Sequence, residues 1–281
     1  MPKGLTIYFL RIRIERQKNK NEVTKMKTII AFLIVAAIAI TSAWFFFIRT
    51  PEIKENETTT EAAVSVTAAI IEKERIENYE YAYAGFMPYY ADMDVADWRM
   101  ILVNRDFILP DDYETTLAPC ITSDPDSLKL DYRVAPFYNE MYLAALEDGI
   151  KLVPISGYRS VERQRNNFER KINTYLDQGY SEIEATQMAA TIILPPGTSE
   201  HNAGLAMDIC SLEQNFEETA EYRWLCENAA DYGFILRYPE NKQDITKIIY
   251  EPWHWRYVGV EAAKAMQASG QCLEEYLGVL V

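Results

Sequence analysis

SEHNAGLAMD, residues 199–208, is the stretch on which the reading of this chain turns. It places His201 and Asp208 seven positions apart. Side chains at that spacing point to opposite faces of a straight strand, so the two converge only if the backbone bends between them. Asn202-Ala203-Gly204 supplies a turn. Past the turn, LAMDI (205–209) suits a strand, with Leu205 and Met207 on one face and Ala206 and Asp208 on the other. The apolar pair is expected in a core, while small Ala206 leaves room beside the carboxylate.

Of 281 residues only two are histidines, and the second, His254, lies in EPWHWRY (251–257). Pro252 biases Glu251 away from helical geometry, and the three-residue offset lets Glu251 and His254 approach one point from a bent segment. Catalytic zinc takes three protein ligands from His, Asp or Glu and keeps one position open for water. His201, Asp208 and His254 meet that requirement, and Glu251 is the carboxylate a hydrolase needs there as general base. Each residue alone has a bland reading. A lone buried His usually serves a core hydrogen bond, and a lone Asp at a strand end is usually a cap. Both histidines falling beside well-placed carboxylates favours the metal site. Upstream, Arg159 offers a planar, permanently charged guanidinium that can hold a carboxylate bidentately or stabilise an oxyanion. As a mere surface residue at a helix start it would oppose the helix dipole.

SGYRSVERQ (156–164), SEHNAGLAMD (199–208) and EPWHWRYVG (251–259), in that order, resemble the VanY-type D-alanyl-D-alanine carboxypeptidases, zinc peptidases acting on bacterial cell-wall stem peptides. DWRMILVNRDFILPDDY (97–113) is similar to that family's domain opening, so the likeness runs from about residue 95 to the end. The resemblance implies His201, Asp208 and His254 as zinc ligands and Glu251 as catalytic base, in agreement with the residue-level reading. It further implies substrate contacts from Arg159, Gln164 and Ser199, and a small antiparallel sheet that carries the metal between helices. Gln164 could hydrogen-bond a peptide amide, although an exposed helical Gln is an ordinary finding. Trp253 and Tyr257 are expected to wall the cleft, with core packing as the alternative.

Outside these motifs, TIIAFLIVAAIAITSAWFFFI (28–48) runs 21 residues without a charge, enough for a helix to span about 30 Å of hydrocarbon. Eight Lys and Arg precede it (Lys3 to Lys27), which predicts a cytoplasmic segment over 1–27 and an extracytoplasmic chain after the anchor. A cleaved signal peptide competes, but the run is long and ends in Trp44, Phe45, Phe46 and Phe47 rather than small residues. Met26-Lys27, directly before the run, is also a natural start. Residues 49–94 read as a Thr/Glu/Ala-rich spacer and 95–281 as the catalytic domain. Tyr79, Tyr81 and Tyr83 alternate as in a half-buried strand, or could form a platform for sugar rings.

Within 95–281, MILVN, KLVPI, LAMDI and FILRY are strand candidates, and ITKIIYEPWHWRYVG reads as strand and turn. Helices are expected over about 133–148, from a Ser160 cap to Leu176, from a Ser181/Glu184 capping box, over 217–231 closed by Gly233, and over 260–277. The mixed order indicates an α+β fold. Residues 50–281 carry 19 Lys and Arg against 40 Asp and Glu, a balance of −21 that repels phosphate backbones and excludes a nucleic-acid partner. Cys120, Cys210, Cys226 and Cys272 include no C-x-x-C, which excludes a zinc ribbon or thioredoxin motif and leaves free thiols or one or two bridges open.

The leading expectation is a membrane-anchored zinc carypeptidase-class hydrolase, a carboxypeptidase of D,D or L,D type trimming D-alanine from peptidoglycan stems outside the cell. An endopeptidase using the same zinc site is the runner-up. A non-catalytic wall-binding module with a structural zinc is the rival from another class, and Glu251 speaks against it because a closed site has no use for an unliganded carboxylate.

Overall fold

The structure, a computed structural model, describes residues 75–121 and 128–279. The expected membrane segment (28–48), the basic segment before it and residues 49–74 of the spacer lie outside the described residues. Among the described residues no helix is long and apolar enough to cross a membrane. The strands in chain order are β1 (Tyr89–Tyr90), β2 (Phe107–Ile108), β3 (Leu117–Pro119), β4 (Lys129–Asp131), β5 (Pro154–Ser156), β6 (Ala206–Ile209), β7 (Phe234–Leu236) and β8 (His254–Tyr257). The α-helices are α1 (Ala135–Glu147), α2 (Val161–Leu176), α3 (Glu182–Ala189), α4 (Ala220–Asn228), α5 (Gln243–Thr246), α6 (Val260–Ser269) and α7 (Leu273–Leu277).

The central sheet has the order β5-β6-β8-β7, antiparallel throughout. Its register pairs Asp208 with His254 and Ala206 with Arg256 across β6 and β8, and Ser156 with Asp208 across β5 and β6. Alternation then divides the sheet into two faces. Met207, Ile209, Trp255 and Tyr257 enter the main apolar core with Tyr138 and Met141 of α1, Leu225 of α4 and Met266 of α6. Asp208, His254 and Arg256 share the other face, which is polar yet equally buried.

That polar face is tolerable only because its charges are paired. Glu200 Oε1 accepts from Arg237 Nε at 2.6 Å and from Arg256 Nη1 at 2.9 Å. Arg237 reaches on to Glu274 of α7 through two parallel bonds of 2.8 and 2.6 Å, and Asn104 Nδ2 donates to the same carboxylate at 3.0 Å. Arg256 Nη2 donates to the carbonyls of Arg99 and Ile101, both at 2.9 Å. Both guanidinium groups are fully buried. Two acids balance two bases, and the cluster ties the sheet to the N-terminal arm and to the C-terminal helix.

The helical expectations hold where capping chemistry is local. Ser160 accepts from Arg163 N at the start of α2, and Ser181 and Glu184 form a reciprocal capping box at α3. Gly233 closes its segment in the left-handed region at φ 83°. Several readings need correction. MILVN is not a strand: Trp98–Met100 is a 3-10 turn and residues 101–103 are irregular, with the Arg99 and Ile101 carbonyls accepting from Arg256. The expected helix over 260–277 is two helices, because Gly270 at φ 70° ends α6. None of ITKII is strand: it is the end of α5 and a loop, and in ITKIIYEPWHWRYVG only His254–Tyr257 is strand.

The tyrosines at 79, 81 and 83 form no strand either. Tyr83 lies in a 3-10 turn (Ala82–Ala84) and Tyr81 precedes it, buried edge-on against Phe168 at 4.9 Å between ring centroids. Tyr79, Tyr81 and Phe86 pack with residues of α2 and α3, while Tyr83 is exposed and shares a hydrogen bond with Thr186. Residues 75–94 thus belong to the same compact unit as the rest of the described chain, so that unit begins well before the expected start at 95. All four cysteines are free thiols, Cys120 and Cys272 buried.

Candidate metal centre and active site

The bend in SEHNAGLAMD is built by three successive turn hydrogen bonds, Asn202 N to Ser199 O, Ala203 N to Glu200 O and Gly204 N to His201 O. Gly204 has φ 71°, and a Cβ there would stand 2.8 Å from the Asp131 amide nitrogen, so glycine is required twice over. The Asn202 side chain locks the turn by donating to Arg159 O at 2.7 Å and accepting from Gly197 N at 3.1 Å. The turn sends His201 back over β6, where its Nε2 lies 3.3 Å from Asp208 Oδ2. On the far side His254 Nδ1 lies 3.3 Å from Asp208 Oδ1.

One ligand atom from each of His201, Asp208 and His254 falls within 4.8 Å of the others. These residues fit a metal on further grounds. Asp208 Oδ1 is buried without a hydrogen-bond partner, a costly arrangement unless a cation serves it. The nitrogen and oxygen donor set suits zinc, with no thiolate near. His201 Nδ1 stands 2.8 Å from Gly157 O, which leaves Nε2 free to ligate, and His254 Nε2 stands 3.2 Å from Glu200 Oε2, which leaves Nδ1 free. Each ring thus has a hydrogen-bond partner behind it and an open nitrogen in front.

Glu251 lies beside the cluster, its Oε2 3.6 Å from His254 Nδ1. The backbone turn after Pro252 brings it there: His254 N donates to Glu251 O, and Glu251 N donates to Tyr238 O. Burial pushes the Glu251 carboxyl up to about 8, and a dication held by its neighbours would pull it down. Burial also opposes ionisation of Asp208, but His201 and His254 outweigh it and hold that carboxyl far below the usual range. Burial by itself would lower the His254 imidazole, yet Asp208 and Glu200 lift it to about 9. Acidic groups therefore crowd the point where the open ring nitrogens meet, the charge balance a cation would complete.

Arg159 is the fixed cation of the site. Its Nη2 lies 3.6 Å from Asp208 Oδ2 and donates to Ser156 Oγ at 3.0 Å, while Nη1 donates to Gln164 Oε1 at 2.8 Å. Gln164, expected to meet substrate, is 1% exposed and also donates to Leu194 O, so most of its bonding capacity goes to holding Arg159. Ser199 is buried and its Oγ accepts from His201 N at 3.4 Å. Tyr257 does not wall a cleft. It sits on the opposite sheet face among Phe137 at 5.0 Å and Phe234 at 5.3 Å, as strand alternation from His254 demands. Trp253 is likewise part of the main core. Glu200, Arg237 and Tyr238 went unnoticed in the sequence. Glu200 adjoins His201 in the motif, but it bonds His254, 54 residues away.

Three inward-facing donors with an uncommitted carboxylate next to them are the layout of an open-site metallohydrolase. The VanY family profile, described as D-alanyl-D-alanine carboxypeptidase, matches residues 127–260. A D-alanyl-D-alanine carboxypeptidase of Enterococcus faecalis is 40% identical over 184 residues, 66% of this chain and 67% of that protein. Among solved structures, a vancomycin-resistance D,D-pentapeptidase VanY variant in complex with Zn(II) superposes with TM-score 0.57 at 41% identity, over 64% of this chain and 99% of that one. VanYB in complex with D-alanine-D-alanine superposes with TM-score 0.58 at 40% identity, over 65% and 98%. The chain belongs to the VanY family of D,D-carboxypeptidases.

Proposed function

We propose that this protein is a zinc carboxypeptidase that removes the C-terminal D-alanine of peptidoglycan stem peptides. Its metal is held by His201, Asp208 and His254, with Glu251 as general acid and base and Arg159 as the cationic substrate contact. Family membership supports the reaction and the metal. The observation that carries the residue assignment is the convergence of three ligand atoms within 4.8 Å around a buried Asp208 oxygen that accepts no hydrogen bond.

Zinc, when bound, supplies Lewis-acid polarisation of the scissile carbonyl and acidifies water. Glu251 accepts the proton of the attacking water at its carboxylate oxygen and returns it to the nitrogen of the departing D-alanine. Its burial excludes bulk water, so the proton stays with the reacting groups. Arg159, clamped by Ser156 and Gln164, presents its remaining donors without reorganisation. We assign those donors to the substrate's terminal carboxylate. Mass spectrometry of muropeptides incubated with residues 50–281 tests the reaction: loss of a single alanine is expected, whereas internal fragments would establish an endopeptidase.

The Arg159 assignment has its own test. A C-terminally amidated stem should be cleaved with kcat/KM at least tenfold lower than the free acid, about 1.4 kcal/mol. Arg159→Ala should level the two substrates. Slowing of both alike would instead give Arg159 to the oxyanion.

We further infer that residues 28–48 anchor the enzyme in the cell membrane with the catalytic unit outside, on the strength of the uncharged run and the eight basic residues before it. Protease added to intact cells should digest the catalytic unit. Protection until lysis would reverse the topology.

A further inference from the structure

Among the side-chain hydrogen bonds described, the buried ion cluster meets the candidate metal centre in the contact between Glu200 and His254. Glu200 divides its carboxylate. Oε1 accepts from Arg237 at 2.6 Å and from Arg256 at 2.9 Å, and Oε2 faces His254 Nε2 at 3.2 Å. The two arginines leave Oε1 no freedom to turn away, and Glu274 braces Arg237 from behind through two bonds. All four charged side chains are at most 4% exposed, so water does not compete for these contacts.

A carboxylate can only accept a hydrogen bond, and a neutral imidazole carries one N–H. With Oε2 behind it, His254 keeps its proton on Nε2, and the lone pair stays on Nδ1, the nitrogen that faces Asp208. His201 has the reverse arrangement, since Gly157 O accepts from its Nδ1 and Nε2 faces Asp208. We propose that Glu200 is a positioning residue that fixes the Nε2–H tautomer of His254, held in place by Arg237 and Arg256, while Glu274 serves to balance the Arg237 charge. The proposal rests on the zinc site described above. It gives a purpose to a charged cluster that packed apolar residues could replace at little cost in stability.

Glu200→Gln is the informative variant. The amide oxygen can keep both arginine bonds, but the group facing His254 becomes an NH2 donor. The ring must then turn its acceptor to Nε2 and its proton to Nδ1, where zinc needs a lone pair. Zinc affinity, measured by chelator competition on molecules verified as folded by cooperative melting, should fall about 10- to 100-fold, the range for partners of this kind. Glu274→Gln, which leaves the Glu200–His254 contact intact, should lower the melting temperature but hold zinc affinity within about threefold. Because the chain has only two histidines, nitrogen-15 imidazole spectra of the zinc-loaded wild type resolve the rest. One ring should carry its proton on Nε2 and the other on Nδ1.

Unchanged zinc affinity in Glu200→Gln overturns the proposal. So does an equal loss in Glu274→Gln, which would mean that any loosening of the cluster acts alike. A His254 proton on Nδ1 in the loaded wild type overturns it as well, and that measurement decides alone if Glu200→Gln does not fold. Failure of the wild type to bind zinc at all would overturn the metal assignment itself, an outcome distinct from the other three.

Discussion

Glu251→Gln is expected to bind stoichiometric zinc and to lose about 10²- to 10⁴-fold in kcat, roughly 3–5 kcal/mol of transition-state stabilisation. The candidate ligand atoms belong to His201, Asp208 and His254, so the substitution leaves them in place. It keeps the volume of a side chain that is 6% exposed, and an amide in this pocket has no proton equilibrium to exploit. Metal content by elemental analysis, taken with steady-state kinetics on a stem pentapeptide, checks both halves. Activity within a few fold of wild type with zinc retained would remove Glu251 from the mechanism. Loss of zinc along with activity would make it a ligand.

The second large effect is expected from the ligands. A His201→Ala, His254→Ala double variant should purify with less than about a tenth of the wild-type zinc, because one carboxylate cannot complete a tetrahedral site. Turnover should vanish with the metal. Zinc should also stabilise the fold, since a ligand that binds only the native state at 100 times its dissociation constant adds about 2.7 kcal/mol. Chelation should therefore lower the melting temperature of the wild type and leave that of the double variant unmoved. Acid should mimic chelation, because protons compete for the ligating imidazoles and carboxylate. Stoichiometric zinc in the double variant would refute the assignment.

The parts of this protein legible in its sequence are those decided by neighbours along the chain. A Ser160 hydroxyl reaches an amide three residues on, and Ser181 with Glu184 closes a box within one turn. The turn at Asn202-Ala203-Gly204 and the proline-directed bend at Glu251 are equally local. The order of the three motifs and their residue types sufficed to pick out His201, Asp208, His254 and Glu251, because zinc chemistry admits few side chains and the chain offers only two histidines.

What pairs across the sheet could be settled only in three dimensions. The register of β6 on β8 sets Asp208 against His254, and with it sends Tyr257 and Trp255 to the apolar face. That same register places Arg256 on the buried polar side, where its charge requires Glu200, and Arg237 requires Glu274 from the last helix. Local pattern cannot announce such partners, since an Arg within a strand reads as solvent-facing until the fold closes over it. The sequence by itself therefore determined the candidate metal ligands and the proposed base. The tertiary structure alone decided which nitrogen of each histidine faces Asp208, that Gln164 is committed to Arg159, and that a neutral quartet of buried charges lies behind the site. The reason is that desolvation, not proximity in sequence, dictates where a buried charge must find its counterpart.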